Sequence, residues 1–267
     1  MTRMQGIVLV ALAAVAGSAA AQVTPSDRWT TRVTLYGFFP SVHAKANFDV
    51  PGNGSISTER DPDTYLTNLQ STFMGAFEFR KHPWSVQGDF IYLNFGDLKS
   101  KITNISDVGG SGVDLAVQSN LSTDLKGGLA QLAVGFAIAN TETNTLDAIA
   151  GARYLRLKTR LDWEFSGPVG AFPVRGDVEK TQDIVDAIVG FRGRFIVGKD
   201  KWFVPWYFDV GAGNSRYTYQ AMAGAGYRFG FGDVSLAYRH LQYKFSEDFG
   251  VKELTFSGPV VGATFRF

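Results

Sequence analysis

The chain has no cysteine among its 267 residues. That excludes disulfide staples and thiolate metal sites, so burial and hydrogen bonding alone must hold the fold together. Histidine is scarce at three residues and proline sparse at nine, so metal or imidazole chemistry has few places to sit. Beyond the N-terminus no apolar run approaches the ~18 residues that a membrane-spanning helix needs. No long segment has a convincing 3.6-residue period; only "DTYLTNLQ" (63–70) could form one helical turn, with Asp63 as cap. An excess of one charge is also lacking, with 26 Lys+Arg against 25 Asp+Glu. No global field points to nucleic acid or to an acidic partner.

The N-terminus is the exception. Arg3 supplies a positive start, "GIVLVALAAVAG" (6–17) an apolar core, and Ala19 and Ala21 fill A-x-A cleavage positions. Residues 1–21 therefore read as a secretory signal peptide, with Gln22 as the first mature residue. Residues 22–267 read as one all-β domain.

What is abundant is glycine (30 residues), aromatic side chains (14%) and period-2 alternation. The alternation divides the chain into about ten segments: 28–40, 70–81, 84–99, 124–140, 145–163, 181–197, 201–213, 216–229, 233–245 and 252–267. Each has the length of a tilted membrane strand. Short turns, "KHP" (81–83), "NTETN" (140–144), "GKDK" (198–201) and "FGD" (231–233), alternate with longer links at 41–69, 100–123 and 164–180. "PGNG" (51–54) reads as the turn of a hairpin beyond the membrane, and "GGSG" (109–112) as a loop tip. The pattern predicts a closed antiparallel up-and-down transmembrane β-barrel of about ten strands. An eight-strand version requires two segments around 124–163 to be misread.

Charge placement decides which face meets lipid. One face carries Val33, Leu35, Phe73, Phe77, Phe79, Leu132, Val134, Phe136, Val189, Phe191, Phe208 and Val210. The opposite face mixes glycine with Arg32, Glu78, Asp89, Asp147, Arg153, Asp186, Arg192, Arg194, Asp209, Arg228 and Arg239. A soluble lipocalin-like barrel also alternates, but scatters Lys along its wet face. Here Lys lies in loops, turns and strand ends, and the mid-strand cations are Arg. A Lys or Arg facing lipid at mid-membrane costs about 2–4 kcal/mol, so the charged face points inward. These eleven residues are expected to form an interior ion-pair network that plugs the barrel.

The signal peptide, the alternating strands and the terminal "GATFRF" resemble the small bacterial outer-membrane β-barrels of the OmpA/opacity-type superfamily. The resemblance implies that Phe267, Phe265, Ala263 and Val261 act as the recognition signal for the barrel-assembly machinery. It further implies periplasmic termini, extracellular long loops, periplasmic chaperones on the way, and outer-membrane lipid and lipopolysaccharide as surroundings. A monomer is expected. Without a peptidoglycan-binding domain after Phe267, no cell-wall anchoring is expected.

Catalytic signals are thin. Barrel lipid-A deacylases resemble an arrangement of His, a Ser two residues on, and a later Glu. His240 and Glu253 fit, but Gln242 stands at the serine position and cannot be a nucleophile. Asp61, Asp63 and His43 could sit on a rim as in barrel proteases, and His82 falls in a short turn on the opposite side. "DPD" (61–63) reads as a solvated acidic pair, and the glycines of "GAGYRFGFG" (224–232) as strand residues. No cofactor or metal is expected. The sequence reading is a non-enzymatic envelope surface protein. A narrow small-solute channel is the alternative, and a lipid-modifying or proteolytic enzyme the second alternative.

Overall fold

The computed structural model describes residues 28–47, 55–60, 69–102, 118–141, 143–166, 175–198, 201–246 and 251–267. These contain twelve strands: β1 (Thr30–Phe38), β2 (Ser41–Asn47), β3 (Ser55–Arg60), β4 (Leu69–Lys81), β5 (Trp84–Ile102), β6 (Gln118–Asn140), β7 (Asn144–Ser166), β8 (Arg175–Val197), β9 (Trp202–Gly213), β10 (Tyr217–Arg228), β11 (Gly232–Lys244) and β12 (Val251–Arg266). There is no helix among the described residues.

Ten strands close on themselves. β1 pairs β4, each following strand pairs the next antiparallel, and β12 returns to β1. Closure satisfies the backbone polar groups of both outer strands, which lipid cannot do. The remaining two strands, β2 and β3, form a hairpin on the far half of β12. The first segment is thus one strand broken at Phe39–Pro40. Below the break β1 pairs β12 from Val260 to Arg266, and above it β2 pairs β12 from Val251 to Ser257. Proline has no N–H to give a ladder, so the strand breaks at Pro40, yet the register holds across the break, with Phe38 opposite Val260 and Ser41 opposite Ser257.

All ten expected segments are strands, and β6 and β7 pair along their whole length, which excludes the eight-strand version. The expected hairpin around "PGNG" exists as β2 and β3. In the segment proposed for a helical turn, Leu69 and Gln70 belong to β4, and 63–68 lie outside the described residues. The signal-peptide positions Ala19 and Ala21 also lie outside them. The strand ends are the main revision. β6, β7 and β8 each run 23 residues, about twice what a membrane strand requires, so they continue well past the membrane at the end opposite the short turns.

The outer wall is apolar over a measured height. On β8 the outward positions Val185, Ala187, Val189, Phe191, Gly193, Phe195 and Val197 carry no polar side chain. Those twelve residue steps, at about 3.3 Å each and a tilt of about 40°, span roughly 30 Å, the thickness of a bilayer's hydrocarbon core. Aromatic rings collect at both edges: Trp84, Phe195, Trp202, Phe229 and Phe231 by the short turns, Phe73, Tyr92 and Tyr217 towards the loops, all exposed. A wall this apolar and this exposed is stable only against lipid.

Candidate functional site

The candidate site is the barrel interior, and it has two storeys. In the half towards the loops, Phe38, Met74, Ile91, Leu129, Leu155, Ile184, Leu241, Tyr243, Phe245 and Leu254 pack into one buried cluster. They come from β1, β4, β5, β6, β7, β8, β11 and β12, with Phe245 just past β11, so the cluster crosses the full bore. The apolar cluster adds to the expected ion-pair network: the loop half of the inside is an apolar plug. The period-2 signal hid it because these strands are apolar on both faces at that height.

Beneath the plug lies a largely buried polar layer. Arg153 pairs with Asp209, and both side chains have 0% exposure. Arg153 also donates to Gln131 Oε1 from Nε and Nη2, at 3.0 and 2.9 Å, and to Thr218 Oγ1 at 3.2 Å. Gln131 in turn donates to the Tyr207 hydroxyl at 2.6 Å. Arg239 donates to Gln220 Oε1 and pairs with Asp89 at 2.8 Å, while Tyr36 donates its hydroxyl to the same carboxylate. Most donors that arginine buries are therefore matched by acceptors, the condition for placing charge in a low dielectric.

Asp186 is inside and fully buried, but arginine does not hold it. The backbone N–H and the hydroxyl of Ser215 bind its carboxylate at 2.9 and 2.8 Å. It therefore ties the β9–β10 turn to β8. Arg228 makes no ion pair among those described, and its buried Nε has no hydrogen-bond partner among the described residues.

The lowest layer, next to the short turns, surrounds a cavity of about 290 Å³. Glu78 receives Arg192 Nη2 at 2.5 Å, Arg80 Nε at 2.9 Å and Arg32 Nη1 at 3.6 Å. Asp147 takes Arg80 and, at 3.2 Å, Arg192. Asp233 takes Arg194 at 2.9 Å and Arg266. Arg32 and Arg266 keep 36% of their side chains exposed, whereas Asp233 keeps 2%, so water reaches this layer from the turn end. Arg80, Asp233 and Arg266 belong to this layer although the sequence reading of the interior network omits them. Arg80 and Asp233 stand at strand ends beside turns, where alternation no longer tells inside from outside.

A second cluster lies on the outer wall, where the apolar band stops. His240 and Ser257 are cross-strand partners on β11 and β12, and Ser257 Oγ is 2.6 Å from His240 Nδ1. The other ring nitrogen is 3.0 Å from the Tyr219 hydroxyl. Gln242, one outward position further, donates to Glu253 at 2.7 Å. The serine missing beside His240 in sequence is thus supplied by the neighbouring strand, a relation that only the register reveals. Of the other histidines, His82 sits in the β4–β5 turn and His43 on β2 opposite Thr255. Asp61 and Asp63 lie outside the described residues, and no group of metal-ligating side chains occurs among the described ones.

No protein-family model matches the chain. No curated protein sequence matches it either. Among solved structures it is similar to the outer membrane protease OmpT from Escherichia coli, at 10% identity and a TM-score of 0.58, covering 92% of this chain and 99% of that one. A match to Ail, the attachment invasion locus protein of Yersinia pestis, covers 91% of this chain and all of that one at 13% identity, with a TM-score of only 0.32. At these identities the likeness is one of fold, and the ten-strand closure agrees with it. With its lipid-facing band and closed sheet, the chain is by fold a small bacterial outer-membrane β-barrel.

Proposed function

We propose that the protein is a non-conducting barrel of the bacterial envelope that acts through its loop end, not through its bore. One observation carries the reading: a ring of apolar side chains from eight strands fills the loop half of the interior. The Arg153–Asp209 layer beneath it is equally closed to solvent. On this reading the short turns and both termini face the periplasm, and the long strands β6, β7 and β8 carry loops away from the cell. Lipopolysaccharide surrounds the outer wall, and the protein works as a monomer assembled through its C-terminal strand. Single-channel recording in planar bilayers tests it. A silent barrel is expected, and stable conductance steps for the intact protein overturn it.

The contact between Ser257 and His240 favours a second reading, an ester hydrolase on the outer wall. A serine hydroxyl against an imidazole nitrogen is the pair that nucleophilic catalysis needs. The imidazole is backed by the Tyr219 phenol, not by a carboxylate. A fluorophosphonate probe decides: labelling that Ser257→Ala abolishes establishes this reading, and no labelling removes it.

A further inference from the structure

Among the described residues, the lowest interior layer does not balance its own charge. Five guanidiniums, of Arg32, Arg80, Arg192, Arg194 and Arg266, share three carboxylates, of Glu78, Asp147 and Asp233. The deeper pairs, Arg239 with Asp89 and Arg153 with Asp209, match one to one and lend no spare negative charge. Among the described residues, two positive charges are therefore in excess in this layer.

The excess is concentrated and points one way. Arg32 and Arg266 stand directly opposite each other across the closing seam of β1 and β12, where like charges repel. The carboxylates are the buried partners, at 10%, 5% and 2% exposure, and the arginines lie between them and water at 18–36%. Of the five guanidinium groups, those of Arg32, Arg80, Arg192 and Arg194 line the cavity, with Arg266 beside Arg32 across the seam. Gln87 also lines the cavity, and its buried Nε2 has no hydrogen-bond partner among the described residues. Tyr36, Asp89, Gln131, Tyr207, Gln220 and Arg239 of the layer above line its inner end, and the exposed Arg32 and Arg266 mark its mouth at the turn end.

We infer that this pocket binds a compact, water-borne oxyanion carrying two or more charges, of the phosphate type. Planar guanidiniums present paired donors to such an ion, and two negative charges offset the excess. A cavity of about 290 Å³ admits a small oxyanion and excludes a lipid. The inference goes beyond the plugged-barrel reading and is tested separately, because calorimetry reads occupancy where a bilayer reads current.

The intact protein in non-ionic detergent is titrated calorimetrically with inorganic phosphate, chloride keeping the ionic strength constant. One site with a Kd on the order of 1 mM or tighter is expected. Phosphate should also raise the thermal midpoint at constant ionic strength, as any ligand of the folded state does. Arg32→Gln and Arg194→Gln, both on the cavity wall, should each weaken binding about tenfold, the scale of one charge-assisted hydrogen bond. Ser235→Glu places a carboxylate on the cavity wall and should abolish binding while stabilising the barrel in low salt. The inference is overturned by an absence of phosphate heat and midpoint shift in the wild type. It is equally overturned by binding that Ser235→Glu leaves unchanged. The wild-type measurement decides even where a variant does not fold.

Discussion

Arg153 on β7 pairs with Asp209 on β9 at the centre of the barrel, and solvent touches neither side chain. β8 lies between their strands, so the pair bridges over it. Gly190 on β8 makes room beneath: a methyl added there would collide with the Phe208 carbonyl and with Asp209. The three residues form one device, a charge pair laid across a strand that has no side chain at that point.

Removing one member strands the other in a low dielectric. Arg153→Ala or Asp209→Ala should therefore cost about 3–5 kcal/mol each. The double change to Met and Leu should cost markedly less, because it leaves no orphaned charge. Urea unfolding, followed by the mobility difference of folded and unfolded barrels on gels, measures all three. Equal losses in single and double variants would show that volume, not charge, is what the site requires.

Gly190→Ala tests the space under the pair. Its clash is with backbone, which cannot rotate away, so the loss should reach or exceed the ~1–3 kcal/mol typical of overpacking. Gly198, in the β8–β9 turn, is the control for conformation over space: its φ is +71° and nothing lies near an added methyl. Gly198→Ala should cost only about 1 kcal/mol, the penalty for a left-handed non-glycine residue. The same assay reads both.

Phe267 closes the seam through its backbone. Its N–H donates to the Thr31 carbonyl at 2.9 Å, and the Thr31 N–H donates to the Phe267 carbonyl at 3.0 Å. Its ring, 78% exposed, stands on the lipid side. Two terminal hydrogen bonds are worth about 1 kcal/mol each, so deleting Phe267 should lower refolded stability by no more than about 2 kcal/mol. If this residue also serves as an assembly signal, its deletion should deplete the protein from the membrane far more than that loss explains. Immunoblots of membrane fractions beside refolding of the purified variant make the comparison. Normal membrane levels would refute the signal role.

The strands and their lipid face were legible in the sequence because a period of two survives wherever one face meets lipid and the other meets charge. Val33, Leu35, Phe77 and Val189 announced the wall in this way, and each is exposed. The pattern failed where both faces are apolar, as around Ile184 and Ile188 with outward Val185 and Val189, so the plug was invisible. It failed at strand ends, so Arg80 and Asp233 went unassigned. It also carries no register, which is why Ser257 beside His240, and Ser215 beside Asp186, could not be anticipated.

The plug yields the sharpest test of the proposal that the barrel does not conduct. Ile184, Leu241, Tyr243 and Phe245 are each buried at 5% exposure or less, and all belong to the apolar cluster. Each Leu or Ile cut to Ala should cost about 2–5 kcal/mol, and a cavity lined only by apolar groups stays dry. Truncation to alanine alone should therefore weaken the barrel without opening it. Polar replacements are different, because Leu241→Asn with Phe245→Ser gives water partners at the level of the plug and joins the loop side to the charged cavity below. That double variant should leak small ions in planar bilayers, where the wild type and Leu241→Ala are silent. The Arg153–Asp209 layer still narrows the bore, so the leak should be small and should grow when Arg153→Ala is added. Equal silence in the polar double and triple variants would show that the polar layers, not the apolar ring, form the seal.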